Sequence, residues 1–218
     1  MRHHSAFILI ALLVLTLLWG CALSGQRVAT EEEIAAQQAR AKLHLSSRTD
    51  AYYHFLRSRR LLYENRVKEA LIELEIAAEA DPGAAYLFVE LATFYLRQGQ
   101  NTKAVEAAQR ARDLDPQSIK TRMMLAGLYS SLKQTDRAIA EYRAVLDLDP
   151  NQEKARLWLA SLYAGQSRYE EAREVLNVLV NLDPDNPVAN YYLARMELEL
   201  KEYDEAEKYY KKALEIRP

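Results

Sequence analysis

Few residues in this 218-residue chain have the types and spacing that chemistry demands. Four histidines and one cysteine are present, and His3 and His4 lie in the N-terminal segment just before its apolar run. That leaves His44 and His54, with a helix break expected between them and no cysteine beside either. A zinc site takes three or four Cys, His or carboxylate ligands at short spacings, so this pair does not supply one. Glu31, Glu32 and Glu33 form a run and Glu205 stands near Glu207. At helical spacing these are caps and solvated faces, not an acid and a base poised across a cleft. Gly83, Gly99, Gly127 and Gly165 are too dispersed to cradle a phosphate. The sequence therefore offers no catalytic residue, no metal ligand and no cofactor, and it points away from an enzyme.

Charge narrows the partners. The 29 Lys and Arg nearly balance the 31 Asp and Glu, so no basic field exists to hold a phosphate backbone, and nucleic acid is not expected as a partner. Half of the residues are hydrophobic, ample for a core, while six Gly and six Pro are few for the many hairpins of an all-β fold. Helices joined by short turns suit the composition better.

The elements that could position a functional face are set by a period. Pro82, Pro116, Pro150, Pro184 and Pro218 stand 34 residues apart at every step, within "DLDPQ", "DLDPN" and "NLDPD" at three of them. A fixed period of this size is the mark of stacked repeats. Numbering each frame from Ala51 puts proline at frame position 32. Position 20 is then Ala70, Ala104, Ala138, Ala172 and Ala206; position 8 is Ser58, Ala92, Ala126, Ala160 and Ala194. Position 11 holds Leu61, Tyr95, Tyr129, Tyr163 and Glu197, and position 7 holds Arg57 and then four leucines. At about 100° per residue, positions 4, 7, 8 and 11 share one face of a first helix, and 20, 24 and 27 one face of a second. Small residues at 8 and 20 let the two helices approach, and proline with its preceding Asp makes the turn into the next frame. One helix pair cannot bury its apolar face alone, so the pairs must stack.

These columns resemble the tetratricopeptide repeat over residues 51–218. The resemblance implies an all-α, right-handed superhelical solenoid of antiparallel helix pairs, with frames at 51–84, 85–118, 119–152, 153–186 and 187–218. The first frame, with His54, Arg57 and Ser58 where Trp, Leu and Gly or Ala are usual, is an atypical one; His54 reads as a core-lining stand-in for Trp. Before it, Thr30 and Glu33 offer a capping box for a short helix through about Leu45, and Ser46 to Asp50 supply a break.

The N-terminus carries a different signal. Arg2, the apolar stretch Phe7 to Leu18 and the small Gly20 together describe an export signal over residues 1–20. Leu18-Trp19-Gly20-Cys21 resembles the lipobox of bacterial lipoproteins, with Trp19 where a small residue is usual. The resemblance implies cleavage before Cys21 and acyl chains on it, each buried methylene adding about 0.8 kcal/mol to a membrane anchor. Residues 21–50 would then be the lipidated cysteine, a tether and the short helix. An uncleaved span over Ala6 to Leu23, or a plain secretory signal, remains open. All three place the rest of the chain outside the cytoplasm, facing the periplasm of a bacterial envelope. Ala22 after the cysteine favours the outer membrane over the inner in that family's sorting.

In tetratricopeptide arrays, positions 2, 5, 9 and 12 line a concave groove. Here that gives Tyr52, Phe55 and Arg59; Tyr86 and Val89; Lys120 and Met123; Lys154 and Leu157; and Tyr191 and Arg195. Such a face suits a protein or peptide partner with apolar anchors and some acidic character. Packing of position 5 between neighbouring first helices is the alternative. Co-chaperone repeats clamp a carboxylate with groove Lys and Asn, and the one Asn near this groove, Asn190, lies at an inward position. The expected function is a non-catalytic, membrane-anchored interaction scaffold that assists assembly of an envelope complex of the pilus, secretin or outer-membrane type. An accessory subunit of polysaccharide synthesis or export, anchored in the inner membrane, is the alternative. Uncovered apolar residues Tyr210, Leu214 and Ile216 at the last helix leave a homodimer open.

Overall fold

The computed structural model describes residues 30–216; the expectations placed on Arg2 to Cys21 and on Pro218 fall outside them. The chain divides into two units, Met1–Thr49 and Asp50–Pro218.

In the first unit the expected capping box is present. The Thr30 amide donates to Glu33 Oε2 at 2.9 Å and the Glu33 amide to Thr30 Oγ1 at 3.2 Å, which satisfies two of the N–H groups that a helix start leaves orphaned. The expected break at Ser46 to Asp50 is absent: helix α1 runs without interruption over Glu31–Tyr63. Ser and Thr weaken a helix when their hydroxyls compete for the backbone. Here Ser47 Oγ and Thr49 Oγ1 donate to the His44 and Leu45 carbonyls at 2.9 Å, one turn back, and leave the helix intact.

In the second unit the α1 residues from Ala51 onward pair with α2 (Val67–Ala80). The following pairs are α3 (Ala85–Arg97) with α4 (Asn101–Leu114), α5 (Ile119–Ser131) with α6 (Thr135–Leu148), α7 (Glu153–Gly165) with α8 (Tyr169–Leu182), and α9 (Pro187–Glu199) with α10 (Tyr203–Ile216). Among the described residues no strand occurs. Every first helix ends at frame position 13, and every second helix covers positions 17 to 30. The pairs form an all-α, right-handed superhelical solenoid.

The small-residue columns sit where the helices cross. Ala70, Ala104, Ala138 and Ala172 are fully buried, as are Ala92, Ala126 and Ala194 opposite them. Ser58 is buried too, and its hydroxyl is satisfied by the Ala70 carbonyl at 2.7 Å. Leu91, Leu125, Leu159 and Leu193 fill the remaining core, whereas Arg57 at the same position is exposed.

The two turns of each frame have their own chemistry. Between first and second helix, Asn65, Gly99, Lys133, Ser167 and Lys201 all adopt positive φ, between 58° and 69°. All five stand at frame position 15. In the third frame the Lys133 amide donates to Ser130 O at 3.0 Å and the Gln134 amide to Tyr129 O at 2.8 Å, the paired bonds of a Schellman stop. At the proline turn, Asp149 and Asp183 accept from the Asn151 and Asp185 amides through their carboxylates, as the Asp-Pro phrase predicts. Position 4 of the next frame reaches back to the proline carbonyl. Arg122 donates to Pro116 O, Arg156 to Pro150 O and Asn190 to Pro184 O. Where Phe88 takes that position, Arg110 lies 5.9 Å over its ring and donates to Pro82 O instead.

Neighbouring pairs are joined through position 11. Tyr95 donates to Glu75 Oε1 at 2.6 Å, Gln109 Nε2 donates to the Tyr129 hydroxyl at 2.7 Å, and Arg143 lies 5.5 Å over the Tyr163 ring. In each case the partner comes from position 25 of the preceding frame. A buried charge cluster adds to the second joint: Glu141 accepts from Arg112 at 2.8 Å and from Arg122 at 2.9 Å.

Candidate partner-binding face

The first helices present the same side in every frame, because their register is locked by the buried columns behind them. Tyr52, Tyr86, Lys120 and Lys154 at position 2 are exposed, and so are Arg59 and Arg195 at position 9. At position 5, Phe55, Val89, Met123 and Leu157 are half-buried, while Tyr191 is exposed. Position 5 therefore shares its surface between the neighbouring helix and solvent. The clearest case is Phe55, whose ring meets that of Tyr86 edge to face at 5.6 Å. Tyr191 packs against Tyr192 and Tyr210 at 5.7 and 5.9 Å.

Electrostatics differ along this face. Arg59 pairs with Glu90 at 3.5 Å. Lys120, Lys154 and Arg195 are in none of the ion pairs found among the described residues, and Arg195 lies 6.0 Å over the Tyr192 ring. Burial pushes the Tyr86 hydroxyl above the ordinary tyrosine range, with the Asp81 and Tyr52 charges adding to it.

Sequence reasoning passed over Trp158. It stands at position 6, is 57% exposed and lines a cleft of about 450 Å3 between α7 and α9 with Lys154, Leu157, Ser161, Val188 and Tyr192. A signal was available, since the corresponding residues Leu56, Glu90 and Met124 show that stacking needs no indole there. A larger hollow of about 640 Å3 beside α1 is less suited to a ligand. Its cations are already engaged: Arg57 with Glu73, Arg60 with Glu64, and Arg66 with Glu64 and Glu69.

His54 is half-buried, and its Nδ1 lies 2.7 Å from Glu73 Oε2, so the ring serves a polar pair and does not simply stand in for Trp. An imidazole–carboxylate pair orients a base in hydrolytic sites. Ser58, one turn on, gives its hydroxyl hydrogen to a backbone carbonyl, however, and is not held as a nucleophile. Among the described residues no group of three His, Cys, Asp or Glu could hold a metal ion, and no helix is long and apolar enough to cross a membrane. Asn190, expected inward, is fully buried; Leu214 is exposed and Tyr210 half-buried.

Comparison with known proteins agrees with this architecture. Family models described as tetratricopeptide repeat match residues 129–186 and 187–218, and one described as anaphase-promoting complex, cyclosome, subunit 3 matches residues 63–145. Among solved structures, MamA from Desulfovibrio magneticus is similar at 21% identity and a TM-score of 0.65, over 77% of this chain and 94% of that one. YrrB, described as a TPR protein with an unusual peptide-binding site, is similar at 21% identity and 0.66, over 78% and 87%. A tetratricopeptide repeat protein from Parabacteroides merdae is similar at 20% identity and 0.68, over 77% and 66%. At such identities the likeness speaks to the fold alone. No curated protein matches the chain by sequence.

Proposed function

We propose that this chain, a tetratricopeptide-repeat protein, is a non-catalytic scaffold for protein–protein interaction, held at the bacterial envelope by a lipidated Cys21 and serving the assembly of an envelope complex. The observation that carries the binding role is the recurring exposed row on the first helices: Tyr52, Tyr86, Lys120, Lys154 and Val188 lie outward in successive frames while the columns behind them are buried. Aromatic side chains that keep a large apolar surface in water are favoured binding anchors. The peptide-binding site named for YrrB supports a peptide or protein as occupant. The export-type N-terminus supports the anchor.

Two measurements test this. A photocrosslinking residue in place of Lys120 should trap a discrete partner in cells, and Phe55→Ala with Tyr86→Ala should reduce that trapping while helical content is retained; undiminished trapping sinks the binding role. Cys21→Ser should abolish labelling by radioactive palmitate and leave the precursor unprocessed. Unchanged processing sinks the anchor.

A further inference from the structure

The cleft between α7 and α9 combines two features. Its walls are Leu157, Trp158, Val188 and Tyr192, and two of these, Trp158 and Val188, are 57% and 40% exposed. The indole of Trp158 keeps more than half of its surface in water, and that surface gains from being covered. A second hollow of about 280 Å3 adjoins it, sharing Ser161 and Tyr192 and reaching Arg195. Together they make an elongated, two-part trough.

The second feature is charge, which the neighbouring frame shares through Lys120. Arg59 at the other end of the face holds Glu90, and Arg112, Arg122 and Arg168 each hold a carboxylate. Lys154, on the wall of the cleft, and Arg195, at the end of the adjoining hollow, are in none of the ion pairs among the described residues. A cation beside an apolar trough gains most from a carboxylate that arrives with a side chain filling and drying the trough.

We propose that this trough binds an extended peptide segment of a partner protein in which a large apolar or aromatic side chain is followed closely by a carboxylate. The apolar anchor sits against Trp158, Leu157 and Val188. Lys154 takes the carboxylate, while the adjoining hollow, lined by both Arg195 and Glu199, is left to uncharged parts of the peptide. The proposal rests on the reading of the first-helix face as a partner site, and it assigns that site's chemistry.

Selection of a phage-displayed random peptide library on the full chain tests it. The wild type should enrich sequences with an aromatic or large aliphatic residue next to Asp or Glu. Lys154→Glu should remove the acidic preference and keep the apolar one, and Trp158→Ala should remove enrichment; both side chains are exposed, so circular dichroism should show both variants folded. A labelled consensus peptide should bind about tenfold more weakly to Lys154→Glu by fluorescence anisotropy, the scale of one charge-assisted contact. No enrichment, or enrichment indifferent to Lys154→Glu, overturns the proposal. Such a failure alongside partner trapping by the probe at Lys120 would leave the scaffold reading standing, whereas no trapping by that probe in the otherwise unaltered chain would remove the reading itself.

Discussion

Tyr95 on α3 gives its phenolic hydrogen to the Glu75 carboxylate on α2, across the joint between the first two frames, at 2.6 Å. Burial, followed by that hydrogen bond, holds the Tyr95 hydroxyl well above the ordinary tyrosine range, so it stays a donor through the physiological range. Tyr95→Phe keeps the ring and loses the bond. It should lower unfolding free energy by about 1–2 kcal/mol, since the acceptor is charged and half-buried. Chemical denaturation of the two proteins measures this.

The left-handed residue that ends each first helix sets a second expectation. Lys133 and Ser167 adopt φ of 58° and 59°, a conformation in which any Cβ is strained. Lys133→Gly and Ser167→Gly should each stabilise by about 0.5–1 kcal/mol, the relief of strain exceeding the entropy that glycine loses on folding. Lys133→Val, β-branched, should shift the thermal midpoint the other way.

Glu141 bridges Arg112 and Arg122 inside the second joint. Glu141→Ala leaves two guanidiniums only partly able to reach water. The expected loss is about 3 kcal/mol, larger than for removal of a surface pair, because an uncompensated charge stays behind. Urea unfolding of Glu141→Ala against a surface control such as Glu207→Ala makes the comparison.

Glu197 takes the place of the joint tyrosine in the last frame. Burial pushes its carboxyl above the ordinary carboxylate range, and Arg173, 3.6 Å away, opposes this without cancelling it. A carboxyl whose folded pKa exceeds its unfolded value costs stability once pH rises above both, and nothing below both. Glu197→Gln should therefore be the more stable protein at neutral pH. Its advantage should close as pH falls through the carboxylate range, which denaturant midpoints at several pH values would reveal.

What could be read in advance followed from residues acting over short, repeated distances. The alanines at positions 8 and 20, the leucines at 7 and the Asp-Pro turns declared themselves because five copies of one local rule reinforce each other, and Thr30 with Glu33 did so because a capping box is complete within one turn. The continuity of α1 through Ser46 and Thr49 was hidden, since whether a hydroxyl breaks a helix or bonds back one turn depends on context. Position 15 was hidden by most of its residues: Asn65 and Gly99 are of types that suit positive φ, while Lys133, Ser167 and Lys201 are driven into it by the helices on either side. Trp158 was missed at the candidate site because periodicity assigns faces, and a residue at the margin between two faces becomes visible only when the neighbouring helix is in place. Cation pairing likewise needs coordinates, for nothing in the sequence separates Arg59 from Lys154.

The invariance of the helix boundaries makes the binding face a ruler with a single graduation. Tyr129 meets Gln109 and Tyr163 meets Arg143 through equivalent positions. Excising residues 119–152 would therefore set Tyr163 on Gln109 and offer Arg156 the Pro116 carbonyl, both pairings of kinds that the intact chain already uses. A cut that is not a multiple of 34 residues would turn the buried columns to solvent. The candidate face can change its length only by whole graduations, and each graduation brings its own pair of outward side chains.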